Sequence, residues 1–171
     1  MPLAVTTTTP PVTLPMQPVA PVGGDPIHEV KWAELVAHFD EARLHRHLWD
    51  WAVKEKDWLP IYRYQPVSDI SDIWTEWSVG VDGFLPVRDL VDRWGARWRR
   101  NDPGQRMESS RRMKVVNLIN ELASKHCWDV SLALRFLRER YEHQFKARSF
   151  CDYLTWENKD KVLQAAMGYP S

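Results

Sequence analysis

Proline and glycine divide this chain before any other feature does. Seven of the twelve prolines fall in residues 1–26, with the run Thr6 to Thr9, Gly23, Gly24 and a single charge, Asp25. That composition buries too little apolar surface to offset the entropy of ordering, so a disordered tail is expected there. The remainder of the 171 residues suffices for one ordinary domain with its own core. From Ile27 to Leu59 proline and glycine vanish. Val30, Ala33, Val36, Phe39, Leu44, Leu48, Trp51 and Ala52 recur at roughly helical spacing until Pro60. The spacing predicts one long amphipathic helix over 27–59, with a break near Leu44. Its seven acidic and five basic side chains suit packing or partner docking better than contact with phosphate.

Beyond Pro60 the extended piece Ile61 to Tyr64 leads to Pro66, and Ser68 is placed to cap a helix carrying Ile70, Ile73, Trp74 and Trp77. Gly80-Val81-Asp82-Gly83 ends it with a tight reversal. Pro86 then opens a second helix striped by Val87, Leu90, Val91 and Trp94, which Gly95 stops. After the loop Asn101 to Gly104 a third helical pattern runs from about Gln105 to Lys125. Val115, Leu118, Ile119 and Leu122 share one side of it; Arg106, Ser109, Ser110, Met113, Asn117 and Asn120 share the other, with Lys114 at the edge. Further helical patterns surround Val130 to Tyr141 and Phe150 to Met167. The expected fold class is all-α: a helix-turn-helix-like three-helix unit over 60–126, preceded by the long helix and followed by a C-terminal helical cap over 127–171. No alternation long enough for a sheet is visible.

Lys plus Arg equals Asp plus Glu, 23 each, so the total charge argues for no nucleic-acid or membrane partner. No uncharged apolar run approaches the roughly 20 residues of a membrane span. Locally the balance differs. Arg97, Arg99, Arg100, Arg106, Arg111, Arg112 and Lys114 face only Asp102 and Glu108 within eighteen residues. Six of these seven cations are arginines, whose planar fork suits phosphate or guanine edges, and they cluster where the third helix begins. The short polar side chains of its outer face suit base edges, since Asn can bridge adenine in the major groove. Arg111 and Arg112 lie nearer the apolar side of the wheel, as flanks to that face. The plainer reading is a solvated arginine surface paired with Asp89, Asp92 and Glu108.

The ten tryptophans divide as well. Trp74, Trp77 and Trp94 are expected in the core of the three-helix unit, whereas Trp98, flanked by arginines, is open to either core or contact. Trp32, Trp49, Trp51 and Trp58 share no helical face, which leaves some of them to mark a partner surface. Two cysteines, Cys127 and Cys151, make no disulfide framework and point to a reducing compartment. With His126 and His143 they lack the short spacing of a zinc site, so no metal or cofactor is expected. No Gly-rich phosphate loop or nucleophile motif suggests an enzyme, and no catalytic residue is assigned.

Several pieces occur together: Pro60-Ile61-Tyr62, then Ile73-Trp74-Thr75-Glu76-Trp77-Ser78-Val79-Gly80-Val81-Asp82-Gly83, Pro86-Val87-Arg88-Asp89-Leu90, Trp98-Arg99-Arg100 and Arg111-Arg112. In this order they resemble the DNA-binding domain of the fungal transcription activators of glycolytic genes, shared with high-osmolarity-induced transcription factors and some transposon-derived proteins. The resemblance covers about residues 60 to 126. It implies sequence-specific binding of double-stranded DNA and a nuclear location, with Trp98-Arg99 and Arg111-Arg112 as leading contact positions and Trp74, Trp77, Gly80 and Gly83 as structural signature. Together with the charge pattern it assigns phosphates to Arg97, Arg99, Arg100, Arg106 and Lys114. Base edges fall to Asn117 and Asn120, with Arg112 as a third candidate. The alternative is a helical interaction module that docks a protein partner, or a second copy, through the Trp-rich helix 27–59.

Overall fold

The computed structural model describes residues 26–170. Except for Pro26, the expected tail lies outside them. The described residues are mostly α-helical, 65% helix with seven α-helices and one small two-stranded sheet among them. The helices are α1 (Pro26–His38), α2 (Ile70–Ser78), α3 (Val87–Trp94), α4 (Pro103–His126), α5 (Val130–Leu137), α6 (Ala147–Tyr153) and α7 (Trp156–Ala166).

The long helix over 27–59 is not formed. Helix α1 stops at His38, short 3-10 turns follow at Glu41–Arg43 and Arg46–Leu48, and the chain then makes an antiparallel hairpin of β1 (Trp49–Ala52) and β2 (Asp57–Pro60). Asp40 starts the departure, its carboxylate accepting the N–H of Ala42 at 3.0 Å. The deeper cause is the tryptophans. Side chains that share no face of a helix do share one face of a strand, where alternate residues point the same way. Trp49 and Trp51 alternate on β1, and Trp58 sits directly opposite Trp51. Trp49 thereby reaches Trp94 of α3 at 5.4 Å between ring centroids, while Trp58 meets Trp32 of α1 edge to face at 5.4 Å and donates its indole N–H to the carbonyl of His28. Arg46 closes this cluster from outside, lying over the rings of Trp32 and Trp58 and paired with Glu29.

Two apolar cores result. One gathers Leu35 of α1, Trp49 and Leu59 of the hairpin, Tyr62, Leu85, the α3 residues Val87, Leu90 and Trp94, and Trp98. The other joins Ile70 and Ile73 of α2 to Val115, Val116, Leu118, Ile119 and Leu122 of α4 and closes with Phe136, Phe150, Val162 and Ala166 from α5, α6 and α7. Trp77 packs against both. The C-terminal helices are therefore the far wall of the α4 core, and each fully buried aliphatic or aromatic side chain there contributes about 1.5–3 kcal/mol.

Helix α2 begins at a reciprocal cap. Asp69, rather than Ser68, accepts the N–H of Asp72, and the Asp72 carboxylate accepts the N–H of Asp69. The turn after it is built on Gly80, at φ +91°, where an added Cβ would stand 2.3 Å from the carbonyl oxygen of Phe84. Gly95, at φ +58°, ends α3 with open space around it. Gly80→Ala should thus lower stability by about 2 kcal/mol or more, combining strain and collision, and Gly95→Ala by about 1 kcal/mol from strain alone. Urea midpoints of the two variants check this order; an equal loss would mean that the Phe84 carbonyl moves aside freely.

Candidate nucleic-acid interface

Helix α4 extends over 24 residues, long enough to carry a core face and an outer face at once. Asp102 caps it, its carboxylate accepting the N–H groups of Gly104 and Gln105, and Pro103 follows in the first turn. Those backbone donors, expected to favour a bound anion, already hold a carboxylate. Arg106, Ser110, Lys114, Asn117 and Asn120 are exposed. At 100° per residue they fall within about 120° of arc, and Arg106 and Asn120 stand about 21 Å apart along the axis. None of the five side chains has a hydrogen-bond or ion-pair partner among the described residues.

The arginines separate into free and engaged groups. Arg97 is exposed, with one long bond from its Nε to the Trp94 carbonyl at 3.4 Å. Arg99 is half-buried and donates to Ser109 Oγ at 2.8 Å. Arg100 turns toward the hairpin, donating to Asp50 at 2.8 Å and to the Leu59 carbonyl at 3.1 Å. Arg111 is held by Glu108 at 2.9 Å and by Asp152 of α6 at 3.2 Å. The acids that engage this patch are mainly Asp50, Glu76, Glu108 and Asp152; of the three expected partners only Glu108 takes part, while Asp89 pairs with Arg88.

Three expected positions lie inside. Trp98 is 1% exposed and packs edge to face on Tyr62 and Tyr64, so it is a core residue and offers no surface to a ligand. Ser109 is buried beneath Arg99. Arg112 is 6% exposed; its guanidinium donates to the Glu76 carboxylate and to the Gln65 carbonyl and lies 4.5 Å from the Tyr64 ring. A base edge cannot reach it. The same Glu76 carboxylate accepts the Tyr62 hydroxyl at 2.5 Å. Burial pushes the Glu76 carboxyl up, against the pull of Tyr62 and Arg112 in the other direction. Burial also raises the Tyr62 hydroxyl, which donates to Glu76, and pushes Tyr64 up to about 12. No motif marks Glu76 and Tyr62 as partners of Arg112; its place toward the apolar side of the wheel is the one signal in the sequence that it turns inward.

The other expectations resolve simply. Trp94 is buried, and Trp74 and Trp77 are half-buried against the cores. Trp49 is buried, while Trp32, Trp51 and Trp58 are half-buried and pack against one another, so the tryptophans of 27–59 lie on a hairpin and its contact with α1 and not along one docking helix. Cys151 is buried and Cys127 exposed. Among the described residues no group of three or more His, Cys, Asp or Glu could hold a metal ion, and no helix is long and apolar enough to cross a membrane.

Breaking a buried pair strands the remaining charge. Arg112→Ala should therefore cost about 3–5 kcal/mol of stability, and Glu76→Ala should cost much less in that background than in the parent chain. A double-mutant cycle on unfolding free energies measures the coupling; additive losses would show that the two side chains act independently.

Residues 65–140, from the segment before α2 through α5, match the family model for a transcriptional activator of glycolytic enzymes. No curated protein and no solved structure matches the chain. The matched stretch holds every outward residue of α4 named above and the Glu76–Arg112 pair, whereas the hairpin, α1, α6 and α7 lie beyond it. The similarity is thus to a transcriptional activator domain, consistent with a role in transcription regulation.

Proposed function

We propose that this chain binds double-stranded DNA in a sequence-dependent manner, as a nuclear regulator of transcription, through the outer face of α4. One observation carries the reading: Arg106, Ser110, Lys114, Asn117 and Asn120 form a solvent-facing stripe of cations and short hydrogen-bonding side chains without internal partners. A helix surface evolved only for solvation more often carries Lys and Glu in pairs. In this reading α2, α3 and α4 act as a helix-turn-helix-like unit within residues 60–126. Arg106, Lys114 and Arg97 neutralise phosphates, with Arg99 and Arg100 close by but partly engaged. Asn117 and Asn120 meet base edges in the major groove. Arg111 braces α4 against α6 and reaches phosphate only by giving up Asp152. Arg112 and Trp98 have no part in contact; they set the helix in place. Similarity to an activator family supports the choice of duplex DNA over other polyanions.

The three unencumbered cations Arg97, Arg106 and Lys114 should contribute about −3 to the slope of log K for duplex binding against log salt, measured by fluorescence anisotropy on sequences selected from a random pool. Arg106→Gln and Lys114→Gln should each reduce that slope by about 0.9 and weaken all sequences alike. Asn117→Ala should erode preference by about 1–3 kcal/mol per lost base contact while leaving the slope unchanged. Uniform weakening by Asn117→Ala would overturn the assignment of readout to α4. Deletion of residues 1–59 is a poor control, because it removes Leu35, Trp49 and Leu59 from the core around Trp94.

A further inference from the structure

Between the β1–β2 hairpin and the turn that leads into α4 lies a cleft of about 360 Å³. Lys54, Glu55 and Leu59 line it from the hairpin, and Arg97, Arg100 and Asn101 from the turn. Lys54 and Asn101 are exposed and have no partner among the described residues, and Arg97 makes only its long bond to the Trp94 carbonyl. Arg100 and Asn101 both take left-handed backbone angles, φ +50° and +57°, uncommon for residues other than glycine. That conformation turns the Arg100 guanidinium back onto Asp50 and Leu59, fixing the hairpin beside the turn. The carboxylates near the cleft are few: Asp50 is occupied by Arg100, Asp57 accepts the indole N–H of Trp94, and Glu55 alone stands free.

We infer that this cleft is a second phosphodiester-binding site, in which Lys54 and Arg97, with the Asn101 amide, hold the DNA backbone flanking the segment read by α4. The inference rests on the duplex-binding reading above and adds an element to it, since the hairpin lies outside the stretch that matches the activator family. Position supports it. Asn101 immediately precedes the cap of α4, and Arg106 stands one turn inside that helix, so free cations continue from the cleft onto the α4 stripe. A duplex offers one charge per roughly 1.7 Å of axis, so a helix laid in its groove leaves further phosphates beside its N-terminal end. The Arg100 bonds to Asp50 and the Leu59 carbonyl link the two walls of the cleft, so that Lys54 and Arg97 are presented side by side.

The test uses the full chain, a duplex selected from a random pool, and the double variant Lys54→Gln with Arg97→Gln, whose melting temperature should match the parent because both side chains are exposed. Between 50 and 200 mM salt the variant should lose about 2 from the log–log slope and bind specific and unrelated duplexes tenfold or more weakly. Trimming the duplex to the segment read by α4 should shrink the difference between parent and variant to about 0.9 of slope, which Arg97 contributes. A parent that binds with a variant whose slope falls by about 0.9 or less, the share of Arg97 alone, overturns the cleft assignment and leaves the α4 stripe standing. A parent with no salt-dependent binding overturns both. Sodium tripolyphosphate that binds the parent and not the variant, with the duplex slope unaltered, would assign the cleft to a free oligophosphate and also overturn the proposal.

Discussion

A single buried carboxylate ties this molecule together. Glu76 on α2 accepts a hydrogen bond from Tyr62, which belongs to the core under α3, and an ion pair from Arg112 on α4, whose neighbours fill the other core. Apolar contacts could hold either core shut, but they do not specify how one is set against the other, because they are non-directional. The Tyr62–Glu76–Arg112 network is directional, and its third bond, from Arg112 to the Gln65 carbonyl, anchors the segment entering α2 as well. An ion pair this deep need not add net stability over an apolar replacement. Its contribution here is placement: the three bonds form together only in one arrangement of α2, α4 and the Tyr62 segment.

That placement decides which face of α4 meets solvent. Arg112 turned inward fixes the rotation of the helix. Val115, Val116, Ile119 and Leu122 then follow into the core, and Arg106, Ser110, Lys114 and Asn117 are carried outward. Arg111 adds a lateral brace to Asp152 of α6, and Glu121 a second one to α7, accepting from Lys125 and Lys159, which hold its carboxyl below the usual range. α4 is therefore supported from α2, α6 and α7 with one strip of surface left open. A rigid element of this kind presents side chains with less ordering cost than a loop.

The sequence disclosed much of this and hid the rest for identifiable reasons. Helices α2, α3 and α4 were legible because Gly80, Gly83, Gly95 and Pro103 bound apolar stripes of period 3.6, and the outer stripe of α4 followed from the same wheel. The hairpin was hidden because four residues per strand are too few for alternation to stand out from helical spacing, and Leu44, Leu48 and Ala52 imitate a helix at i, i+4, i+8. Yet the four tryptophans with no common helical face were the evidence against it. Trp98 and Arg112 misled for another reason. A motif of aromatic and basic residues names positions that matter without saying whether they matter by touching a ligand or by holding those that do. Only the partners, Tyr62 and Glu76, distinguish the two, and they stand 36 residues or more from Arg112 in the chain.

The neutral total charge follows the same logic. What a polyanion meets is the charge left after internal pairing, within a Debye length of about 10 Å. Glu76, Glu108, Asp152 and Asp50 are each committed to an arginine of the basic segment, and Asp102 to the N-terminus of α4. On the outward side of α4 the one carboxylate is Glu121, and two lysines share it. The arginines thus serve in two ways, some consuming the acids that would otherwise cancel the surface and others forming that surface. Equal numbers of acids and bases in the sequence are compatible with a locally basic α4 face, because Glu76 lies inside and Glu108, Asp152 and Asp50 are paired at the flanks.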